Sequence, residues 1–202
     1  MTLVDEIVIK TLGRVPYAEA LQAMRDFTER RDETTPDELW VLEHPAVFTL
    51  GQGSSYQSRE TPIPVVRSDR GGDITYHGPG QAVVYALVDL ARRDLKVKRY
   101  VWLLEQSVID LVGARAERKA GAPGVYVGGA KLAALGIRVR RGRAYHGVAI
   151  NVDMDLAPFA AIDPCGYPGL AVTQARDLGF KEGTLILGER LAALLVKRLA
   201  HA

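Results

Sequence analysis

The chain has 202 residues, of which 48% are hydrophobic and 25% charged, and this is enough apolar material for a domain with a buried core. That balance excludes the disordered and fibrous classes. The formal net charge of +2 is too small to indicate a nucleic-acid-binding protein by itself. We therefore predict one globular domain that spans residues 1–202 and binds no nucleic acid.

The cysteine content and the N-terminus bear on the compartment. One cysteine cannot form an internal disulfide, which suits a reducing environment. Asp5 and Glu6 stand where a signal peptide would carry bases. The longest apolar runs, such as residues 82–88, are far shorter than the ~20 residues that a membrane-spanning helix needs. We expect a cytoplasmic protein that does not enter a membrane.

The first half of the chain predicts a strand, a helix and then a series of strands. Residues 6–10 form a short apolar run typical of a strand. Pro16 begins a stretch in which apolar side chains recur every three or four residues, as in a helix: Tyr17, Ala20, Leu21, Met24 and Phe27. Short β-rich runs separated by glycine and proline follow; they are 40–42, 47–50, 65–67, 74–76 and 82–88.

The second half predicts a long helix, three strands and a last helix. The first of these helices has one apolar face, formed by Tyr100, Leu103, Leu104, Ser107, Val108, Leu111 and Val112. Strand-like runs resume at 124–127, 131–140 and 145–152. Thr184 is the predicted N-cap of the last helix, whose inward face carries Leu187, Leu191, Leu194 and Leu195. Because strands come in runs, we predict an α+β fold with a mixed, largely antiparallel sheet and flanking helices.

The Gly-rich segment from Arg70 to Gln81 is the first candidate for a functional site. It holds four glycines and one proline in twelve residues, and glycine lets backbone N–H groups approach a ligand closely. Arg70, Tyr76, His77 and Gln81 add polar groups to the same neighbourhood. The alternative is a structural turn between two strands. It is not a phosphate loop, because GxxxxGK[ST] is absent and no GxGxxG precedes a helix.

Lys131 and Cys165 are the second and third candidates. Lys131 follows a double glycine among small and apolar residues, where its neutral amine serves as a base or its ammonium as a cation beside a thiolate. Alternatively, it points outward at a strand edge. Cys165 lies between Pro164 and Gly166, which indicates a turn that presents its sulfur. A lone cysteine is nevertheless usually a small buried hydrophobe.

The four histidines are candidates for metal ligands or bases. His44, His77, His146 and His201 are far apart in sequence and belong to no HExxH or paired Cys/His pattern, so we predict no metal site. His77 and His146 are able to meet in space and contact a substrate. His44 fits a hydrogen-bonded structural histidine equally well.

In order, these segments closely resemble one family, the lipoyl(octanoyl) transferases, or octanoyl-[acyl carrier protein]:protein N-octanoyltransferases. The resemblance runs from Glu43 to about Thr173. Its landmarks are Leu50-Gly51, Arg70-Gly71-Gly72, Thr75 to Gln81, Gly124 to Lys131, Gly136-Ile137-Arg138, His146-Gly147, Asn151-Val152 and Pro164-Cys165-Gly166. Each segment alone is moderately specific, and the full set in this order is highly specific.

The resemblance implies a fold, a reaction and a site. The fold is the catalytic domain shared with biotin and lipoate protein ligases. The reaction moves an octanoyl group through a cysteine thioester, without a cofactor, as the first step of protein lipoylation. Carried over by position, the thioester cysteine is Cys165 and its partner lysine is Lys131. The implied substrate-lining residues are Arg70, Gly71, Gly72, Asp73, Ile74, Thr75, Tyr76, His77, Ala134, Leu135, Gly136, Gly147, Val148 and Ala149.

This sequence departs from the family pattern at two positions. Asp73 stands where an uncharged or basic residue is expected, and Gln174 follows Thr173 where a serine is more usual. Both departures concern the polarity of the pocket and leave Lys131 and Cys165 unchanged.

The resemblance also implies partners. The donor is octanoyl-acyl carrier protein, and the acceptors are lipoyl domains of 2-oxoacid dehydrogenase complexes and the glycine cleavage H protein; the enzyme is expected to be a monomer. Because both partners are typically acidic in this family, we hypothesise that basic clusters dock them. One cluster holds Arg92, Arg93, Lys96, Lys98 and Arg99, and the other Arg138, Arg140, Arg141 and Arg143. The alternative is an ordinary solvated face.

Three other functions remain open from the residues. An ATP-dependent lipoate or biotin ligase on the same fold needs an adenylate site and does not need Cys165. A cysteine hydrolase would pair Cys165 with a histidine and release free octanoate. A non-catalytic acyl- or carrier-binding protein would bind the octanoyl group without a covalent adduct.

Overall fold

The computed structural model describes residues 6–55, 61–162 and 170–202. Within these ranges it has ten strands and three α-helices. They are β1 (Ile7–Arg14), α1 (Tyr17–Arg30), β2 (Asp37–Glu43), β3 (Val47–Leu50), β4 (Val65–Arg67), β5 (Ile74–His77), β6 (Gln81–Asp89), α2 (Val97–Val112), β7 (Ala116–Lys119), β8 (Ala122–Val127), β9 (Ala130–Arg140), β10 (Arg143–Asn151) and α3 (Thr184–Leu199). None of the helices in these ranges is long and apolar enough to cross a membrane.

Seven strands form the main sheet in the order β1-β2-β6-β10-β9-β8-β7, and a smaller sheet has the order β4-β3-β5. In the main sheet only β1 and β2 pair in parallel, and the other neighbours are antiparallel. In the small sheet β3 is parallel to β4 and antiparallel to β5. The predicted α+β class with a mixed, largely antiparallel sheet and flanking helices is therefore confirmed.

The central strand β6 is buried along its whole length because helices cover both faces of the sheet. On one face Val84 and Val88 pack with Leu104 of α2 and Leu191 of α3. On the other face Val83, Tyr85 and their neighbours pack against α1. A strand covered on both sides reads as a continuous apolar run, which explains residues 82–88.

Most predicted elements are confirmed, with three differences. The first strand continues past residue 10 to Arg14. The polar edge strand β7 (Ala116–Lys119) and two short 3₁₀ turns, Ala157–Ala161 and Ala175–Leu178, were not predicted. The predicted N-cap Thr184 is wrong, because Gly183 has the extended backbone of an N-cap and Thr184 is already helical.

Several residues of the two basic clusters are bound within the chain. The buried carboxylate of Asp37 contacts Arg31, Arg92 and Arg93 at 2.6, 2.7 and 2.6 Å. This group joins β2, the end of α1 and the turn after β6. In the second cluster, Arg140 pairs with Glu29 at 2.5 Å and Arg143 with Asp89 at 3.4 Å. Of the cluster residues, Arg92, Arg93, Arg140 and Arg143 therefore have ion-pair partners within the chain. Fewer charges are available for docking a partner than the sequence suggested.

Candidate active site

A cavity of about 750 Å³, counting the space open to solvent, lies between β9, β10 and the Gly-rich segment from Arg70 to Gln81, which includes β5. Of the predicted substrate-lining residues, those that line it are Arg70, Gly72, Asp73, Ile74, Thr75, His77, Ala134, Leu135, Gly136, Gly147, Val148 and Ala149. The structure therefore brings three segments that are distant in sequence to one cavity.

Gly71 and Tyr76 are the two predicted lining residues that the structure places elsewhere. The amide of Gly71 donates to the carbonyl of Ile137 at 2.9 Å, so this glycine attaches the Gly-rich segment to β9. The ring of Tyr76 packs between Phe48 and Phe159, with centroid distances of 5.6 and 5.4 Å. Tyr76 is therefore buried in the small core formed by β3, β5 and Phe159.

Lys131 lines the same cavity and is 4% exposed, so the outward-pointing alternative is wrong. Its ammonium donates to the carbonyl of Pro123 at 3.3 Å and lies 5.4 Å from the ring centroid of Tyr126. Its backbone N–H donates to Ala171 at 2.8 Å, and its carbonyl accepts from Thr173 at 3.0 Å. The chain just after residues 163–169 is thus hydrogen-bonded to Lys131. Cys165 lies outside the described residues.

Gly124 makes room for the lysine side chain. Its φ is +140°, and a Cβ there would lie 3.1 Å from Cε of Lys131 and 2.8 Å from the carbonyl oxygen of Ala133. Its amide donates to Glu105 at 3.1 Å, and Arg118 pairs with the same carboxylate at 3.0 Å. Helix α2 therefore fixes the backbone against which the lysine folds.

Arg70 holds the Gly-rich segment in place. Its guanidinium donates to the carbonyl oxygen of Thr49 at 2.7 Å, to the Thr49 hydroxyl at 2.9 Å and to the Gly71 carbonyl at 3.0 Å. Gly51 is required beside it, because a Cβ would lie 2.2 Å from the carbonyl oxygen of Gly72. Asp73, one of the two departures from the family pattern, lines the cavity and accepts from the amide of Ile74 at 2.7 Å.

Two buried histidines lie near α1: His77 lines the cavity, and His44 packs against it with ring centroids 5.6 Å apart. His44 donates from Nδ1 to the Val15 carbonyl at 2.6 Å and accepts from the Tyr85 hydroxyl at 2.7 Å. His77 donates from Nδ1 to the amide oxygen of Gln81 at 2.7 Å. Burial lowers the pKa of His44 to about 4 and that of His77 to about 3. Both rings are therefore neutral at pH 7 and keep positive charge out of this end of the cavity.

His146 also lines the cavity, so His77 and His146 reach one site, as the sequence allowed. His146 has a φ of +61°, a conformation that non-glycine residues seldom adopt. Its Nε2 lies 2.8 Å from the Asp69 carboxylate, which also accepts from Tyr145 and Arg25. Burial lowers the pKa of His146; burial raises that of Asp69, but these donors outweigh it and hold the carboxyl pKa well below its usual range.

Several lining residues were not predicted: Tyr17, Val83, Tyr85, Asn151, Phe159 and Val172. Asn151 bridges two segments, since it donates to the Thr173 carbonyl at 3.0 Å and accepts from Gln81 at 3.0 Å. The sequence held a signal for two of them. Val83 and Tyr85 alternate along the predicted strand 82–88, so they share one of its faces. Within the described ranges, no three His, Cys, Asp or Glu side chains are close enough together to hold a metal ion.

Comparison with known sequences matches most of the chain. The family model described as lipoyl protein ligase A/B catalytic domain matches residues 16–181. The chain is 55% identical over 197 residues to an octanoyltransferase of Dechloromonas aromatica, covering 95% of this chain and 96% of that protein. It is 60% identical over 178 residues to an octanoyltransferase of Thiobacillus denitrificans, covering 86% and 82% respectively.

Comparison with solved structures gives the fold. A lipoate-protein ligase A bound with ATP superposes with a TM-score of 0.74 at 15% identity, covering 97% of this chain and 86% of that one. A biotin protein ligase from Aquifex aeolicus in complex with biotin and ATP has a TM-score of 0.55 at 10% identity, with coverage of 96% and 69%. The expected fold of biotin and lipoate ligase catalytic domains is therefore confirmed.

Proposed function

Since this chain belongs to the octanoyltransferases of the lipoyl protein ligase A/B catalytic domain family, we propose that it transfers an octanoyl group from octanoyl-acyl carrier protein to a lysine of lipoyl domains. The acceptors are the lipoyl domains of 2-oxoacid dehydrogenase complexes and the glycine cleavage H protein. The protein acts as a monomer in the cytoplasm, where a free thiol stays reduced.

The observation that carries this proposal is the buried ammonium of Lys131 beside a largely apolar cavity. The backbone bonds from Lys131 to Ala171 and Thr173 support a pairing with Cys165, which precedes Ala171 by a few residues. Val172 lines the cavity as well. A thiolate near this lysine would meet the carbonyl carbon of an acyl chain bound in the cavity.

In the first half-reaction, the Cys165 thiolate attacks the carbonyl carbon of the donor thioester. A free cysteine, with a pKa near 8.5, is only a few per cent ionised at neutral pH, so it needs a nearby cation or base. The positive charge of the Lys131 ammonium favours the thiolate by attraction of opposite charges. As the carbon–sulfur bond to pantetheine breaks, Lys131 gives its proton to the leaving thiolate. The products are an octanoyl-enzyme and a pantetheine thiol.

In the second half-reaction, the acceptor lysine amine attacks the octanoyl-enzyme. Neutral Lys131 takes a proton from the attacking nitrogen, the new amide bond forms, and Cys165 leaves as a thiolate. The ion pair is then restored. Exchange of one thioester for another is nearly balanced and amide formation from a thioester is downhill, so the reaction needs no ATP.

The cavity wall suits an acyl chain. At ~0.8 kcal/mol per buried CH₂, the chain beyond the carbonyl contributes on the order of 5 kcal/mol as an upper bound. The neutral state of His44 and His77 avoids a buried charge beside the chain. A cavity of limited depth selects chain length, with modest discrimination for each methylene.

The test is the intact mass of the protein after incubation with octanoyl-acyl carrier protein. We expect a gain of one octanoyl group that is absent in Cys165→Ala and is removed by an added lipoyl domain. Octanoylation of the lipoyl domain only when octanoate and ATP are supplied would favour the ligase alternative. Release of free octanoate without an acceptor would favour a hydrolase, and octanoyl binding without a mass gain would favour a non-catalytic binding protein.

A further inference from the structure

A second cavity of about 1370 Å³, counting the space open to solvent, adjoins the first. Its walls come from α2 at Val101, from the turn Gly121 to Pro123, from the Gly-rich segment and from β9 at Leu135 to Ile137. Gly72, Asp73, Leu135 and Gly136 line both cavities. The two spaces therefore share a wall and meet at β9.

The meeting point lies where β9 changes its neighbour. The pairing of β8 with β9 extends to Ala133. Further along β9, the amide of Gly71 donates to the carbonyl of Ile137 at 2.9 Å. Leu135 and Gly136 lie between these two attachments and face both cavities. No β8 pairing reaches Leu135 or Gly136, so this edge of β9 is open between the two attachments in the part of the chain that the structure describes.

Lys131 lies on the same strand, four residues before Leu135. Lys131 lines the first cavity, while its hydrogen-bond acceptor, the carbonyl of Pro123 at 3.3 Å, belongs to a residue that lines the second. A thioester whose carbonyl carbon is close to Lys131 has two substituents that must point in different directions. With the acyl chain in the first cavity, the substituent on sulfur extends toward the second.

We propose that the second cavity binds the pantetheine arm of the donor thioester; this rests on the proposed octanoyl transfer. Such an arm carries two amides, a dimethyl-substituted carbon and an outer phosphate. Glycines at 53, 71, 72, 121 and 136 form much of the wall, and without side chains they expose backbone N–H and C=O groups that amides can pair with. Val101 and Ile137 supply apolar contact for the methyl groups.

One basic side chain close to this cavity suits the phosphate. Lys98 is exposed on α2 three residues before Val101, and residues three apart lie on one helix face. Arg138 pairs with Tyr145 of β10, so its side chain lies on the face of the sheet opposite to that of Ile137 and does not contribute. The arginines of the basic clusters that bind Asp37, Glu29 and Asp89 do not contribute either.

The test compares two donors that differ only in arm length. One is S-octanoyl-phosphopantetheine, and the other is S-octanoyl-N-acetylcysteamine, which keeps the thioester but is cut after the first amide. Val101→Trp fills the second cavity from α2 without altering any residue of the first. We expect its kcat/KM for acyl-enzyme formation to fall on the order of tenfold or more with the long donor and to change less than about twofold with the short one.

Ile186→Trp is the matched control, because Ile186 lies on α3, is 55% exposed and lines neither cavity. This variant should keep the wild-type kcat/KM for acyl-enzyme formation with both donors. Ile137→Phe narrows the cavity from the β9 side and provides a second test if Val101→Trp does not fold. An equal loss with both donors, or no loss with either, would overturn the proposal.

Two further outcomes separate this proposal from neighbouring ideas. If the Val101→Trp variant is acylated normally by the long donor but transfers its octanoyl group slowly to a lipoyl domain, the second cavity binds the acceptor and the proposal is wrong. If the wild-type protein forms no octanoyl adduct with either donor, the proposed octanoyl transfer itself fails, and the arm site fails with it.

Discussion

Lys131 and Lys119 both place an ammonium over the ring of Tyr126, at 5.4 and 5.9 Å from its centroid. Lys131 is buried in the cavity wall, whereas Lys119 is exposed on the edge strand β7. Charge and aromatic contact are therefore similar at the two positions. What differs is access to the cavity and the attachment of Lys131 to the chain that follows Cys165.

That difference gives a prediction for Lys131→Ala. In the proposed mechanism this ammonium favours the Cys165 thiolate and protonates the leaving thiolate, so its loss should slow acyl-enzyme formation about 10²- to 10⁴-fold. The measurement is the rate of octanoyl adduct formation by intact mass. Lys119→Ala is the control and should react at nearly the wild-type rate. A Lys131→Ala variant as fast as wild type would contradict the paired acid–base role.

The neighbourhood of Lys131 could be predicted from the sequence, but its burial could not. A lysine after Gly128-Gly129 among small residues fits both an outward edge position and an enclosed one. The choice depends on Gly124 and Ala171, which are distant along the chain and make contact only after β8, β9 and the segment after 169 have come together.

At the scale of elements, the contact of β10 with β6 depends on Gly147. A Cβ at this position would lie 2.2 Å from the carbonyl oxygen of Val84 and 3.2 Å from the amide of Ala86. Both atoms belong to the backbone of β6, which is held on its other edge by β2. Neither strand can therefore shift without disturbing the centre of the sheet.

We expect Gly147→Ala to destabilise the protein by about 1–3 kcal/mol, which is typical of an added group in a closely packed interior. The measurement is the free energy of unfolding from denaturant titration. Gly183→Ala is the control for an added methyl group in open space, because Gly183 has no atom within 4 Å of an added Cβ and a negative φ. Since Gly183 is the N-cap of α3, this change should cost at most about 1 kcal/mol. Equal stability of the two variants would show that β6 and β10 separate more easily than this packing allows.

The elements that the sequence predicted well are those with a regular apolar pattern. Helix α1 has apolar side chains on one face, and β6 is a continuous apolar run. Strand β7, Ala116–Lys119, was missed because three of its four side chains are polar and its exposure alternates at the sheet edge. Its strand conformation depends on pairing with β8, which local sequence does not encode.

For the molecule as a whole, the buried histidines link stability to pH. His44 is fully buried, with α1 packed against its ring through Tyr17. Its pKa in the folded state is about 4, below the ordinary value of 6.5, because burial disfavours the charged ring. A lowered histidine pKa contributes stability that is complete above pH 6.5 and is lost as the pH falls toward 4, because only the unfolded chain binds a proton in that window.

We expect the free energy of unfolding to fall between pH 7 and pH 5 by about 2 kcal/mol on account of His44 alone. His77, whose pKa is lowered to about 3 by burial, adds to the same trend. The measurement is denaturant unfolding at both pH values. His44→Gln should show a smaller difference between the two pH values. His201→Gln, at an exposed position, should show the same difference as the wild-type protein. An undiminished difference in His44→Gln would contradict this origin.

The sequence by itself determined the fold class, the order of most elements and the family, because periodic apolar patterns and ordered glycine-rich segments depend on local chain order. It also indicated most of the residues around the cavity. Only the tertiary structure decided that Lys131 is buried, that Tyr76 faces another core, that Tyr17 and Tyr85 reach the site, and that a second cavity meets the first at Leu135 and Gly136. Each of these follows from contacts between elements far apart in sequence, and such contacts exist only once the sheet has assembled around β6.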